Sequence, residues 1–150
     1  MALVVLVAVF GLVAAGCATP AADSSPEPQE SAVEEDSEPN RAALGIRAPK
    51  HLKVSLITAR QMLAGKGGYE AQRIAIVVCG DAVEGLVEGS ELEDELEEIQ
   101  EKPVKIVACG LTVERKRIDE ADLIDGIEVI PNGIVELARL QEQGYESIEL

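Results

Sequence analysis

The C-terminal two-thirds of the chain predicts an α/β fold, a mostly parallel five-stranded sheet with helices on both faces, and three observations carry that prediction. Apolar runs alternate with segments of helical pattern, which is the order of a parallel sheet with crossover helices. Two of the runs, Ile74–Cys79 and Val104–Cys109, are continuously apolar apart from Lys105 and end at a glycine, as strands covered on both faces do. This part also lacks Trp and Phe and has only Tyr69 and Tyr145 as aromatics, so its core must be built from Val, Ile, Leu and Ala.

In chain order, Leu52–Thr58 reads as the first strand, followed by a short helix near Arg60–Ala64 and the glycine-rich turn Gly65–Gly68. That turn lacks the GxxxxGK[ST] spacing of a phosphate-binding loop. After the second strand, Ile74–Cys79, Asp81 is placed to cap a short helix reaching Leu86. Ser90 and Glu93 have capping-box spacing, and Leu92, Leu96 and Ile99 share one face of the helix behind them. Pro103 ends that helix before the third strand, Val104–Cys109. Leu111–Lys116 reads as a helical turn and Ile127–Ile130 as a fourth strand after the turn Asp125-Gly126. Asn132 is placed to cap a last helix, Gly133–Gln143, with Ile134, Leu137 and Ala138 inward. Gly144 stops it, and Tyr145–Ile148 is the fifth strand.

The residues before this domain divide in two. Ala2–Ala15 is apolar and uncharged, too short for a comfortable membrane span, which needs about 20 residues, but of signal-peptide length. Small residues lead into Cys17, which resembles a bacterial lipobox. That resemblance makes 1–16 a leader and Cys17 the lipid-bearing residue, and it places the protein on the extracytoplasmic or periplasmic face of the cell envelope. Residues 17–50 hold Pro20, Pro26, Pro28, Pro39 and Pro49 and the acidic run Glu34, Glu35, Asp36 and Glu38, and they read as a disordered tether, leaving 51–150 as the domain.

The chain of 150 residues has a formal charge of −15. Nucleic-acid binding, which requires basic surface, is excluded as an expectation. Membrane attachment must come from the lipid alone. His51 is the sole histidine, placed on the surface before the first strand, so no Ser-His-Asp or Cys-His pair forms at the strand ends and no zinc spacing appears. No cofactor is expected.

Sulfur is the remaining candidate for covalent chemistry. Cys79 and Cys109 both close strands at the C-terminal edge, where open α/β sheets gather their sites. Cys109 has the better setting. Gly110 leaves its approach open, a helix start favours thiolate, and Arg115, Lys116 and Arg117 form the one basic run. The chemistry requires the Cys109 sulfur to be open to solvent and positively flanked. Cys79 reads as core, as a second thiol for Cys109, or as a modifier of the pocket.

The stretch Gly126–Tyr145 (GIEVIPNGIVELARLQEQGY) closely resembles the "PGV-VVPSGV-ELARLQ-EGY" ending of the DsrE/DsrF-like family. Val78-Cys79-Gly80 is similar to that family's second-strand segment, with Cys79 where many relatives carry His and Asp81 in place of Pro. Val107–Gly110 falls where sulfur-relay members keep the cysteine that receives sulfane sulfur. The resemblance implies a three-layer αβα fold, assembly as homotrimers or hexamers, and a persulfide on Cys109 exchanged with a donor or acceptor protein, with Arg115 and Lys116 stabilising anionic sulfur. The competing expectation is a non-catalytic module in which Cys109 is packing and the sheet edge binds a small ligand or another subunit. A thiol-disulfide role for the two cysteines is a third reading, without a CxxC motif to support it.

Overall fold

The computed structural model describes residues 39–150. The leader, Cys17 and the first part of the tether lie outside the described residues. Five strands form one all-parallel sheet: β1 (Arg41–Ile46), β2 (Arg73–Val78), β3 (Val104–Cys109), β4 (Glu128–Ile130) and β5 (Tyr145–Glu149), in the order β4-β3-β2-β1-β5. Four α-helices connect them: α1 (Pro49–Leu63), α2 (Glu93–Gln100), α3 (Gly110–Lys116) and α4 (Gly133–Glu142).

From β1 to β4 the chain steps in one direction across the sheet. It then reverses, passing through α4 to reach β5 on the far side of β1. Right-handed crossovers therefore put α1, α2 and α3 on one face and α4 on the other. The side chains obey that division. Ala42, Leu44, Ile46, Ile74, Ile76, Val78, Ile106 and Ala108 join Leu52, Leu56, Leu96, Ile99 and Val113 in the larger core. Ala43, Ala75, Val77 and Val107, one residue out of phase, join Leu137 and Leu140 of α4 and Ile130 in a smaller one.

Two sequence expectations are corrected at the N-terminal side. The first strand is Arg41–Ile46, inside the segment assigned to the tether, and Leu52–Thr58 lies in α1. Local alternation in 52–58 imitates a strand, but the buried set is Leu52, Ser55, Leu56 and Ala59, a helical stripe in which a serine and an alanine take core positions. Ser55 is satisfied there by donating to the Leu52 carbonyl at 2.6 Å. Pro49 occupies the first turn of α1, where its missing N–H costs nothing. His51 accordingly lies in α1, not ahead of the first strand.

Smaller corrections follow the same logic. The short helix reaching Leu86 is a 3-10 helix, Gly80–Leu86, and Cys79, not Asp81, stands at its N-cap. Ser90 does not cap α2. Its hydroxyl donates to the Gly85 carbonyl, while Glu93 reaches back to accept from the Gly89 N–H at 2.6 Å. Asn132 does cap α4, accepting from the Ile134 N–H at 3.0 Å. The inward stripe of α4 is Gly133, Leu137 and Leu140, whereas Ile134 and Ala138 face solvent.

Candidate functional site

The site follows from parity along β2 and β3. Cys79 is in phase with Val77, and Cys109 with Val107, so both thiols leave the sheet on the α4 face. The register pairs Val78 with Ala108, and the next step along each chain brings Cys79 beside Cys109. The Cys79 N–H still bonds the Ile46 carbonyl at 2.7 Å, which fixes the backbone just past the end of β2. Both cysteines are free thiols.

Cys109 sits where two helices begin. It is the N-cap residue of α3, and its sulfur accepts the N–H of Gly133, the first residue of α4, at 3.3 Å. The first-turn N–H groups of a helix have no partner inside it, so both helices have donors to spare. Thr112, the third residue of α3, supplies its N–H and its hydroxyl. The same hydroxyl oxygen accepts the Gly80 N–H at 3.2 Å, which leaves its own proton free to donate. Burial pushes the Cys109 thiol up. The donors on Gly133, Thr112 and Cys79 together outweigh that effect and hold it below the ordinary thiol value.

Cys79 is driven the other way. Burial pushes its pKa up to about 12, the negative charge of Cys109 adds to the rise, and Arg47 opposes it. The two thiols are thus unequal: Cys109 takes the thiolate and Cys79 keeps the proton and donates it. Neighbouring groups with pKa values driven apart are the arrangement from which acid and nucleophile roles are read.

Gly133 makes this geometry possible. A Cβ there would collide with the Cys79 Sγ and stand 3.1 Å from a Val77 methyl and 3.3 Å from the Cys109 Cβ. Only glycine lets the start of α4 come down onto the two sulfurs. Gly110 does different work from the expected opening of an approach. A Cβ on it would meet the Ile130 carbonyl at 3.0 Å, so its bareness lets the start of α3 close on the end of β4.

The two cysteines line a cleft of about 290 Å³ with Arg47, Gly80, Leu111, Thr112, Arg115, Asn132 and Ile134. Its two charged lining side chains are arginines, in a chain of net charge −15, and Arg47 is paired with Glu149 at 3.3 Å. That is a local setting for an anion. The expectation of an open Cys109 sulfur is corrected: the residue is only 5% exposed and forms the cleft floor, whereas Cys79 is half-buried.

The predicted supporting residues separate. Arg115 lines the cleft, but Lys116 is bound to Asp81 at 2.8 Å and Glu84 at 2.7 Å and does not. Arg47, Thr112 and Gly133 were missed by sequence reasoning. Arg47 lay within the supposed tether, and the other two act on a cysteine through contacts that spacing does not encode. His51 does not line the cleft. Among the described residues, no group of three His, Cys, Asp or Glu is arranged to hold a metal.

The comparisons agree with this architecture. The model of the DsrE/DsrF-like family matches residues 34–150. The fold is similar to that of a protein of unknown function, MTH1491 from Methanobacterium thermoautotrophicum, at 23% identity and TM-score 0.66, over 74% of this chain and 99% of that one. It is also similar to the ychN protein from E. coli, at 20% identity and TM-score 0.61, over 75% of this chain and 100% of that one. A third likeness is to BT1422 from Bacteroides thetaiotaomicron, a conserved protein of unknown function, at 18% identity and TM-score 0.58, over 74% and 95% of the two chains. No curated protein matches the chain.

Proposed function

The chain belongs to the DsrE/DsrF-like family, and from that premise we propose that it carries sulfane sulfur as a persulfide on Cys109. The observation that carries this reading is the convergence of the Gly133 and Thr112 donors on one cysteine sulfur, which favours its thiolate despite burial. The thiolate attacks the outer sulfur of a donor, the donor S–S bond breaks, and the donor leaves as a thiolate while Cys109 retains one added sulfur. Arg115 lines the same cleft and offsets the negative charge of the persulfide, while Arg47, also in the cleft, shares its charge with Glu149 at 3.3 Å. Lys116 has no part in this, because Asp81 and Glu84 occupy it.

Brief treatment of the full chain with inorganic polysulfide, a prompt alkylating quench and peptide mass spectrometry test the reading. One added sulfur on the Cys109 peptide, lost in Cys109→Ala, is the expected result. A Cys109 that takes up no sulfur in the native chain contradicts it.

The reading extends to setting and assembly. We place the domain at the cell envelope, held by lipid on Cys17, so Cys17→Ala is expected to move the protein from the membrane to the soluble fraction, and unchanged retention counts against the anchor. The alternative of an assembly module is favoured by one feature: Leu111, Ile134 and Val135 are more than half exposed, on α3 and α4. Such apolar side chains are suited to burial between copies of the chain in a trimer or hexamer. Sedimentation of the full chain as a monomer would count against that assembly.

A further inference from the structure

Cys79 bears no added sulfur in the carrier step, where it only helps to hold the Cys109 thiolate, yet it stands beside the thiol that does. Parallel pairing of β2 with β3 makes Cys79 and Cys109 cross-strand neighbours. Adjacent strands lie roughly 4.8 Å apart, within the Cα separation of roughly 4.4–6.8 Å that a disulfide spans. Parity sends both side chains to the same face, and Gly133 touches both: its absent Cβ would meet the sulfur of one and the Cβ of the other. Both thiols are free and both line one cleft. This is more than a pair of buried cysteines packed as small hydrophobes, because one glycine is kept bare to seat them together.

We propose that Cys79 resolves the persulfide on Cys109, discharging the carried sulfur as hydrosulfide and leaving a Cys79–Cys109 disulfide. The proposal rests on Cys109 taking up sulfane sulfur in the first place. The Cys79 sulfur attacks the inner sulfur of the persulfide. A bond forms between the two cysteine sulfurs, the persulfide S–S bond breaks, and the outer sulfur departs with the proton that Cys79 gives up. The sulfane sulfur gains two electrons, and the two cysteines together lose two. An external dithiol reductant then returns the disulfide to two thiols and is itself oxidised to a disulfide. The net reaction consumes one sulfane sulfur and one dithiol and yields one hydrosulfide. Arg47 and Arg115 stand in the cleft into which the hydrosulfide anion is released. The activity that follows is reduction of sulfane sulfur to sulfide, beyond carriage of it to another protein.

The test uses the full chain with Cys17→Ser, so that the domain thiols alone are counted, alongside the same chain with Cys79→Ser. Both are loaded with inorganic polysulfide without oxygen, freed of excess reagent, and followed by released sulfide and intact mass. The chain with both thiols is expected to release one sulfide per protein and to end two hydrogens lighter than its reduced form, with a Cys79–Cys109 cross-linked peptide. Cys79→Ser is expected to keep the added sulfur on Cys109 and to release sulfide at least about tenfold more slowly. If the two chains hold the added sulfur equally long, or the disulfide forms without sulfide, resolution by Cys79 is overturned while the carrier reading stands. If neither gains sulfur on Cys109, both readings fall.

Discussion

On one face of the sheet Leu44, Ile46, Ile76, Val78 and Ile106 meet α1, α2 and α3, and on the other Ala43, Ala75, Val77 and Val107 meet α4 alone. The first face carries the large aliphatic side chains and its core residues are almost wholly excluded from water. The second is lined mainly by alanine and valine, with Ile130 at its edge, and it is where the two thiols emerge. The difference shows how the fold separates its tasks: burial on one side supplies stability, and small residues on the other let a helix terminus approach the sulfurs.

Large-to-small substitutions should break the two faces unequally. Ile76→Ala, fully buried in the larger core, is expected to lower stability by about 2–5 kcal/mol. Leu137→Ala, on the one helix that covers the other face, should fall at the lower end of that range, since its site lies nearer solvent and collapses more easily. Urea unfolding of both variants measures this, and equal costs would remove the distinction.

Gly133→Ala sharpens the comparison through its sign. In an unstrained helix start such a change stabilises by about 0.4–1 kcal/mol. Here the added methyl meets the Cys79 sulfur and lies close to Val77 and Cys109, so a loss of about 1–3 kcal/mol is expected instead. The same displacement moves the Gly133 N–H from the Cys109 sulfur, so alkylation of Cys109 near neutral pH should slow as well.

The smallest effect concerns the cap. Asn132→Ala removes the bond to the Ile134 N–H and is expected to cost about 1 kcal/mol by thermal or urea unfolding. Because Asn132 also lines the cleft, Asn132→Ser, which retains a capping oxygen, should recover most of that stability.

The strands that carry the cysteines were legible in the sequence because Ile74–Cys79 and Val104–Cys109 are largely apolar runs that stop at a glycine. Asn132 and the last helix were legible through local capping chemistry. The first strand was not. Ala42, Ala43 and Gly45 have weak strand preference and lie between Pro39 and Pro49, just after the acidic run, and their strand character comes from pairing with β2 and β5. At the site, Cys109 was identified by its position at a strand end, but its thiolate preference depends on Gly133, 24 residues away, and on Thr112, which spans 32 residues to Gly80. The first partner is set by the reversal of the chain between β4 and β5 and the second by the pairing of β2 with β3, and no local pattern records either. Lys116 was misassigned for the same reason: the sequence showed a basic run but not the two carboxylates that meet it.

The pH profile of native-state alkylation, read separately at Cys79 and Cys109 by peptide mass spectrometry, tests the inequality of the two thiols most directly. Cys109, held below the ordinary thiol pKa, stays thiolate as pH falls past that value, so its labelling should drop to half-maximum only at a pH below it. Cys79, still protonated until about pH 12, should lag far behind it at every lower pH despite its greater exposure. Cys79 reacting first, or Cys109 labelling only after unfolding, would contradict the account.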